Sequence, residues 1–526
     1  MRRVLFVTAA VVAAVIFFAL ATLPPRPLTV DASGIDPDLV RRTVRGAYHI
    51  HTSRSDGASD KATIAAAAAR AGLQFVILTD HGDATLPPDP PEYLSGVLCI
   101  DGVEISTNGG HYVALGMHRS PYPLGGEPSA VVEDVRRLGG FGIAAHPDSP
   151  KASLAWTDWD APIDGIEWLN ADSEWRDESL AALGRVFLHY LFRPGPALAS
   201  MLDRPVATLK RWDELTRRRP VVALAAHDAH GGIGRGVEES GVRKQALGHV
   251  PSYEASFRTF SDNVILDARL SGSATDDGRR LLDAIRNGRV FTVIDAIASP
   301  GYVDLRGYDG SAATVKVTLP AGAELWETPR GVARRIEVRV PGSPGSPPVP
   351  WLLSNPVFSS APTIPPSTVL SGDVVTPPRE LDWRVEKDSR STATLTAGQQ
   401  QAAMHYTLAP GARTSQFVAL AGDLKDGEMG SVQELVFSAF ASGPIRVSVQ
   451  LRYAGRGGER WGSSVYVDSN PRDVVVALDR MRPLDRQTGQ TPDPATASSL
   501  LFVVDLTNAK PGDSNTFSIG NLRIAR

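Results

Sequence analysis

Short apolar runs alternate with helix-like stretches through the first half of the chain. The apolar runs at 47–52, 75–79, 141–145 and 221–226 are typical of buried strands, and the spacing at 60–71, 129–138 and 276–287 is helical. Strands and helices that alternate in this way form largely parallel sheets, with active sites at the carboxyl ends of the strands. The pattern therefore predicts an α/β domain over about residues 40–300.

Strand-like segments continue after residue 300 without helices between them. Apolar residues alternate with polar ones over 445–453, as a half-buried strand requires. Runs rich in Pro, Ser and Gly at 341–350 and 357–378 are typical of linkers. We therefore predict all-β structure after the α/β domain: a small β unit over 301–357, a Pro-rich linker over 358–379 and a β-sandwich over 380–526.

An uncharged apolar run at 4–23 follows two arginines at the N-terminus. It is long enough to span a bilayer, and it exceeds the usual apolar core of a cleaved signal. Ala19 and Ala21 nevertheless offer a cleavage site. Residues 1–27 are therefore expected to be a signal anchor or a signal peptide. The arginines place the rest of the chain outside the cytoplasm, membrane-anchored in the first case and periplasmic or secreted in the second.

Composition restricts the chemistry that the chain can perform. Its 526 residues are too many for one compact core. The net charge of −4 and the pI near 6.3 do not favour nucleic acid as a partner. Cys99 is the single cysteine, so an internal disulfide or a thiolate metal cluster is excluded. Any metal site must be built from His, Asp and Glu.

Histidines and carboxylates collect at the predicted strand ends of the α/β region. They are His49, His51, Asp56, His81, Glu104, His111, His146, Asp228 and His230. The carboxyl ends of parallel strands meet at one rim, and burying so many polar groups without partners would cost free energy. Imidazole and carboxylate ligands suit Zn²⁺, Mn²⁺ or iron without selecting among them. The sequence therefore predicts a metal site at this rim.

The motifs around these residues stand in the order HxHT, SDG, TDHG, GxE, GHxxALG, AHP and DAHG between His49 and Gly231. This series resembles the polymerase-and-histidinol-phosphatase (PHP) family of metallophosphoesterases. The segments 251–295 and 350–356 further resemble its extracytoplasmic branch related to carbaryl hydrolase. The resemblance implies a distorted (β/α)7 barrel that binds two or three divalent metal ions.

The resemblance also implies how the nine residues divide among three metal positions. The first metal would be held by His49, His51, Glu104 and Asp228. The second would share the bridging Glu104 and be held by His111 and His146. The third would be held by Asp56, His81 and His230. Catalysis is expected to depend most directly on Glu104, Asp228 and His230.

Three neighbouring residues are interpreted separately. Asp80 and Asp148 either orient the imidazoles or cap local turns. His227 should face the opposite side of its strand from Asp228, so we interpret it as structural.

Two cations a few ångströms apart can deprotonate a bridging water and bind both oxygens of an in-line displacement. Because such a centre can activate water against phosphorus or carbon, the residues alone do not select the ester. The resemblance to the PHP family gives the leading hypothesis, a metal-dependent phosphoesterase that uses a metal-bridged hydroxide on a small-molecule substrate. A carbamate or carboxylic ester hydrolase with the same centre is the first alternative. A glycan- or surface-binding protein with a vestigial barrel is the second, because residues 380–526 resemble galactose-binding-like jelly rolls in strand rhythm.

Overall fold

The computed structural model describes residues 2–232, 250–305, 315–328, 333–341, 349–358, 381–398, 401–484 and 491–525. Apart from Phe358, the predicted linker at 358–379 lies outside this range. The chain forms two compact units. The first contains Met1–Gly82, Pro87–His118 and Val135–Ile364, and the second contains Asp83–Leu86, Arg119–Asp134 and Pro365–Arg526. The predicted domain bounds stay a prediction.

Several helices of the described residues begin where the sequence supplies a capping side chain or a proline. Asp60, Ser179 and Ser252 each accept a hydrogen bond from a backbone N–H of the first turn that follows. The helices are α1 (Arg2–Ala21), α2 (Pro37–Arg42), α3 (Lys61–Arg70), α4 (Pro128–Arg137), α5 (Ala171–Arg176), α6 (Leu180–Tyr190), α7 (Pro194–Ala199), α8 (Val206–Thr216), α9 (Tyr253–Phe257) and α10 (Ala274–Arg286).

Strands run through both units. Those before residue 300 are β1 (Leu28–Thr29), β2 (Thr43–Ile50), β3 (Phe75–Leu78), β4 (Glu92–Leu94), β5 (Val97–Asp101), β6 (Val103–Thr107), β7 (Gly110–Leu115), β8 (Phe141–Ala144), β9 (Gly165–Asn170), β10 (Val222–Ala229), β11 (Ser261–Ile265), β12 (Val290–Val293) and β13 (Ala298–Ser299). Those from 300 to 358 are β14 (Val303–Asp304), β15 (Lys316–Val317), β16 (Glu324–Glu327), β17 (Ala333–Arg334), β18 (Ile336–Val340), β19 (Val349–Ser354) and β20 (Val357–Phe358).

The remaining strands are β21 (Trp383–Lys387), β22 (Thr392–Ala397), β23 (Gln401–Thr407), β24 (Phe417–Asp423), β25 (Glu434–Ala441), β26 (Ile445–Tyr453), β27 (Glu459–Val467), β28 (Arg472–Ala477), β29 (Arg482–Pro483), β30 (Ser499–Asp505) and β31 (Ser514–Ala525). The predicted class is therefore confirmed at the level of a mixed α/β protein whose C-terminal sheets are all-β.

Strand pairing in the first unit returns to its starting point. Strand β2 pairs in parallel with β3 and β10, and β10, β9 and β8 continue in parallel. Strand β7 is antiparallel to both β8 and β6. The path closes because β3 pairs with β5, which Gly102 alone separates from β6, and because a bridge joins His81 to Glu104. This closed path of strands is called the ring below.

Apolar side chains fill the inside of the ring and cover part of its outside. Tyr48, Ile77, Val113 and Leu224 belong to one buried cluster, which α10 also enters through Leu281. A second cluster packs α3 and α9 against β2 and β3 from the other side. Because both faces are covered, the strands are apolar nearly throughout, as parallel sheets require.

The sheet of the first unit continues beyond the ring. Strand β11 pairs with β2 and β12, and β12 pairs with β19, all antiparallel. Strand β18 then joins β19 to β16. Residues in the predicted small β unit at 301–357 thus extend the sheet that contains the ring.

The second unit contains two antiparallel sheets around one apolar core. The first has the order β21-β24-β30-β26-β27-β29, and the second has the order β22-β23-β31-β25-β28. Phe437 on β25 and Phe502 on β30 meet edge to face with ring centroids 5.1 Å apart. Both are fully buried in the core that the two sheets share.

Residues 119–134 belong to this second unit although they lie between β7 and β8 in the chain. The Arg446 side chain on β26 donates to Asp134 through Nε over 2.7 Å, and both side chains are 1% exposed. Tyr122 donates to the same carboxylate over 2.8 Å. A buried ion pair with further hydrogen bonds is costly to break, because one charge would remain without a partner.

Helix α1 is apolar and exposed. Residues Arg3–Ala21 have a mean hydropathy of 2.9, and only 6% of the window is buried. The helix is long and apolar enough to cross a membrane, as the sequence predicts of an anchor, and a signal sequence would have the same properties.

A charged cluster on β18 should make the first unit sensitive to acid. Glu337 accepts bidentate hydrogen bonds from Arg204 and Arg339 and is 3% exposed. Burial opposes its ionisation, but these arginines lower its pKa from 4.5 to about 2. The folded pKa is the lower one, so the stabilisation is fully present above pH 4.5 and is lost as the pH falls towards 2.

We expect Glu337→Gln to lower the free energy of unfolding by about 2 kcal/mol at neutral pH, after allowance for solvent screening. The difference from the parent protein should shrink between pH 4.5 and pH 2. Urea unfolding at several pH values measures it, with the exposed Glu324→Gln as the matched control. An equal difference at every pH would contradict this account.

Candidate metal centre

The ring brings all nine predicted residues to one rim. His49 and His51 lie at the end of β2, Asp228 and His230 at the end of β10, and His146 follows β8. His111 lies near the beginning of β7, and it reaches the same rim because β7 runs antiparallel to its neighbours. The remaining members are Asp56, His81 and Glu104, which lie after β2, after β3 and on β6.

Three of these residues have an unusual backbone. His49, His146 and Asp228 have φ values of 62°, 47° and 44°, in the left-handed region. Such conformations cost roughly 1–3 kcal/mol each and cluster at functional sites. At His49 and Asp228 the pairing register of β2 and β10 also shifts, as in β-bulges. A bulge re-aims a side chain, and here both side chains reach the centre of the cluster.

Glu104 is the centre of the cluster. Its Oε1 lies 2.6 Å from His111 Nδ1 and 3.3 Å from His146 Nε2. Its Oε2 lies 3.2 Å from His49, 3.3 Å from His51 and 3.1 Å from His81. One fully buried carboxylate therefore contacts five imidazoles.

Asp228 and Asp56 connect the other members. Asp228 lies 3.3 Å from His51 through Oδ1 and 3.1 Å from His146 through Oδ2. Asp56 lies 3.2 Å from His230 and 3.5 Å from His81. His81 and His230 have side chains 36% and 24% exposed, so the cluster is open on this side and closed at His49 and His51.

The carboxylates strongly favour positive charge within the cluster. Burial would lower the pKa of His49, but Glu167, Asp228 and Glu104 raise it well above its ordinary value. Burial is likewise outweighed by carboxylates at His51, whose pKa is about 10, and at His146, whose pKa is about 9. Conversely, the imidazoles hold the pKa of Glu104 well below its usual range although burial would raise it. Either protons on the imidazoles or bound metal cations can supply the positive charge that these carboxylates favour.

The donor set fits divalent metals. Candidate groups whose ligand atoms all lie within 4.8 Å of one another are His51–Asp56–His81–His230, His49–His51–Glu104 and His81–Glu104–His111. The buried atoms His49 Nε2 and His51 Nε2 lie 3.2 and 3.3 Å from the buried Glu104 Oε2, but none of the contacts of these three atoms with the residues that the structure describes has the geometry of a hydrogen bond. Buried polar atoms normally have partners, and metal coordination would supply them here. Nitrogen and oxygen donors together suit Zn²⁺, Mn²⁺ or iron.

Sequence reasoning missed Glu167, which lies beneath the cluster on β9. Its Oε1 lies 2.6 Å from His49 Nδ1, and its Oε2 accepts hydrogen bonds from His146 N and Asn170 Nδ2. Glu167 also forms a candidate metal group with His49 and His146. Its only trace in the sequence is one acidic residue within the apolar run of β9, with no motif around it. In the structure Glu167 is 1% exposed.

Tyr253 was also missed, and it holds two loops of the site together. Its hydroxyl lies 2.8 Å from the His51 carbonyl oxygen and 3.0 Å from the His230 carbonyl oxygen, which share its single proton, and Ala58 N donates to it. A Cβ on Gly231, whose φ is 71°, would come within 2.2 Å of the Tyr253 ring, so only glycine fits there.

Asp80, for which two interpretations were open, and His227, which we interpreted as structural, both make contacts that hold the fold of the site. Asp80 accepts hydrogen bonds from Thr52 N, Thr52 Oγ1 and Ser55 Oγ, so it fixes the loop that carries Asp56. The ring of His227 stacks on Phe260, with centroids 4.1 Å apart, and its Nε2 lies 3.2 Å from the Phe260 carbonyl oxygen.

No protein-family profile matches the chain. An uncharacterized protein of Methanocaldococcus jannaschii (MJ1587) is 30% identical over 137 residues, which is 23% of this chain and 80% of that protein.

Among solved structures, a two-domain protein of Bacteroides vulgatus with a PHP-like metal-dependent phosphoesterase domain is 13% identical, covering 64% of this chain and 92% of its own at a TM-score of 0.28. The family 11 carbohydrate-binding module of a Clostridium thermocellum cellulase is 15% identical, covering 29% of this chain and 94% of its own at a TM-score of 0.24. Similarities at these TM-scores do not indicate a shared function.

The position of Glu104 leads to a test of the bridging role that the family resemblance implies. A carboxylate shared by two cations offsets their mutual repulsion, and Glu104→Gln removes that charge at nearly constant size. We expect loss of two metal ions. We also expect activity to fall by more than the roughly 10- to 100-fold that is typical when a residue that only orients a metal ligand is replaced. His230→Ala should instead remove mainly one metal ion. Plasma emission spectrometry measures metal content in both folded variants, and full occupancy in Glu104→Gln would contradict the bridging role.

Proposed function

The chain belongs to the same family as the Methanocaldococcus protein, and we propose that its α/β unit is a metal-dependent hydrolase of phosphoesters. The observation that carries this proposal is the contact of one buried carboxylate, Glu104, with five imidazoles within 3.3 Å. A shared carboxylate amid imidazoles is the arrangement that neighbouring cations need, because it offsets their repulsion and supplies an oxygen to each.

We propose that the metals divide as the resemblance implies. His49, His51, Glu104 and Asp228 would hold one ion, Glu104, His111 and His146 a second, and Asp56, His81 and His230 a third. Ions held there would lower the pKa of a bound water and polarise the oxygens of the ester. Glu167 would fix the orientation of the His49 ring through its 2.6 Å contact with Nδ1.

The open side of the cluster favours phosphoesters over uncharged esters. Asp56, His81 and His230 line a cavity of about 490 Å³, and Lys151 lines the same cavity. A lysine ammonium there would attract a phosphate anion and would gain much less from a neutral carbamate. Arg176, also in the cavity wall, is paired with Asp172 over 2.5 Å, which leaves Lys151 as the better anion ligand.

We further propose that the ring is the distorted (β/α)7 barrel of the PHP family and that the chain belongs to its extracytoplasmic branch. The closed path of strand pairs and the order of the motifs support the barrel. Helix α1 supports an extracytoplasmic location.

The proposed reaction predicts hydrolysis of p-nitrophenyl phosphate or bis-p-nitrophenyl phosphate when Mn²⁺ or Zn²⁺ is added to metal-depleted protein. Aryl carbamates should react much more slowly, because they lack the anion that Lys151 would bind. Release of p-nitrophenol measures the phosphoester rates, and chelation should abolish them. Faster turnover of carbamates than of phosphoesters would favour the carbamate hydrolase instead. Activity that is unchanged by chelation would exclude metal dependence.

We propose that α1 remains as a membrane anchor with the hydrolase outside the cytoplasm. Its 20 helical residues exceed the usual apolar core of a cleaved signal. We expect the full chain to stay in the membrane fraction after alkaline carbonate extraction and to be digested by protease added outside the cytoplasm. A soluble exported product shortened near residue 22 would contradict the anchor, and a cytosolic product would contradict export as well.

A further inference from the structure

Helix α6 directs its apolar stripe into the cavity of the metal cluster rather than into a packed core. Leu183, Val186, Phe187 and Tyr190 all line that cavity. Their spacing of three, four and seven residues places them on one face of the helix. Phe187 remains 54% exposed. Apolar surface left open beside polar groups marks a ligand site more often than a defect of packing.

Further apolar side chains complete this wall. Leu198 on α7 and Met201 and Leu202 after it line the same cavity, with Trp175 from α5. The volume of about 490 Å³ lies within the range of pockets for small ligands. The wall is continuous with the metal cluster, because Glu104, His146 and Asp228 line the cavity at its other side. A ligand that fills it would have one highly polar end and one apolar end.

The segment after α1 is attached to the same helix. Thr22 Oγ1 lies 3.0 Å from His189 Nε2 on α6, and Arg193 donates to the Pro24 carbonyl oxygen. Leu191 and Phe192 expose apolar side chains just beyond the same end of α6. With α1 in a bilayer, these contacts would bring α6 close to the membrane surface.

We infer that the substrate is an amphiphilic phosphoester whose hydrocarbon part binds against the α6 stripe while its phosphate reaches the metal cluster. This inference rests on the proposed hydrolase function for the choice of polar group. The hydrocarbon part is recognised by contact and exclusion of water, so affinity should increase with apolar area. The shared chemistry fits a lipid in a bilayer or a dissolved alkyl or aryl ester.

The test is a homologous series of alkyl p-nitrophenyl phosphates, with alkyl chains of roughly one to ten carbons, hydrolysed by the full chain with added Mn²⁺. We expect kcat/KM to rise by up to roughly fourfold per methylene until the cavity is filled, mainly through KM. Calorimetry with alkylphosphonates of the same lengths, which cannot be hydrolysed, measures binding independently of turnover.

Two serine variants on α6 test whether the α6 stripe is the surface that binds the hydrocarbon part. Phe187→Ser removes a large apolar side chain from the cavity wall, and it should fold because the residue is half exposed. We expect it to flatten the dependence on chain length in both assays. Leu180→Ser is the matched control, because Leu180 is 88% exposed and does not line the cavity. It should behave as the parent protein.

The outcomes separate the two proposals. Hydrolysis that is independent of chain length would overturn the amphiphile inference and leave the hydrolase function intact. Phosphonate binding that strengthens with length, without turnover of any ester, would support binding of amphiphiles against the α6 stripe but overturn the hydrolase function and, with it, the assignment of the amphiphile as a substrate. Phosphonate binding independent of length would overturn the inference in either case. A long-chain ester incorporated in phosphatidylcholine vesicles identifies the source: faster turnover than in solution indicates a bilayer lipid, and slower turnover a dissolved amphiphile.

Discussion

Two buried carboxylates that are surrounded by imidazoles determine how the α/β unit is organised. Glu104 and Asp228 are 0% and 7% exposed, so their charge can persist only with positive partners close by. Those partners come from the ends of different strands, which converge because the sheet closes on itself. The antiparallel direction of β7 also supplies a partner for Glu104, because it places His111, near the beginning of the strand, at the same rim. The need to balance the charge of Glu104 and Asp228 at one rim therefore accounts both for the direction of β7 and for the closure of the sheet around the candidate metal site.

The local geometry of the rim depends on strained backbone held from outside. His49 and Asp228 interrupt neighbouring strands with left-handed residues, and each interruption turns a side chain inward. Tyr253 opposes relaxation by binding the carbonyl oxygens of His51 and His230 with one hydroxyl. Glu167 acts from below on both His49 and the backbone of His146. Residues that contact no substrate thus set positions for those that would.

The sequence indicates the elements of this site better than its fine geometry. Ligand-type residues follow apolar runs closely enough that the nine candidates could be named, and the structure brings all nine together. The same reasoning could not find Glu167, because a single acid inside an apolar strand has no motif around it. The bulges were also unpredictable, since alternation assumes regular pleating that His49 and Asp228 break. The bulges place His49 and Asp228 against residues that are distant in the sequence, so no local pattern around them can predict the bulges.

Residues 119–134 show the same limit at larger scale, since nothing in their composition indicates that they pack within the unit of the C-terminal sheets. Their position has a consequence for synthesis on the ribosome. Tyr122, Leu124 and Val131 emerge roughly 300 residues before Arg446 and the strands around it, and all three are buried in the finished protein. This segment must therefore wait, with apolar side chains uncovered, until translation is almost complete. Chaperones that shield nascent chains would find their natural target here.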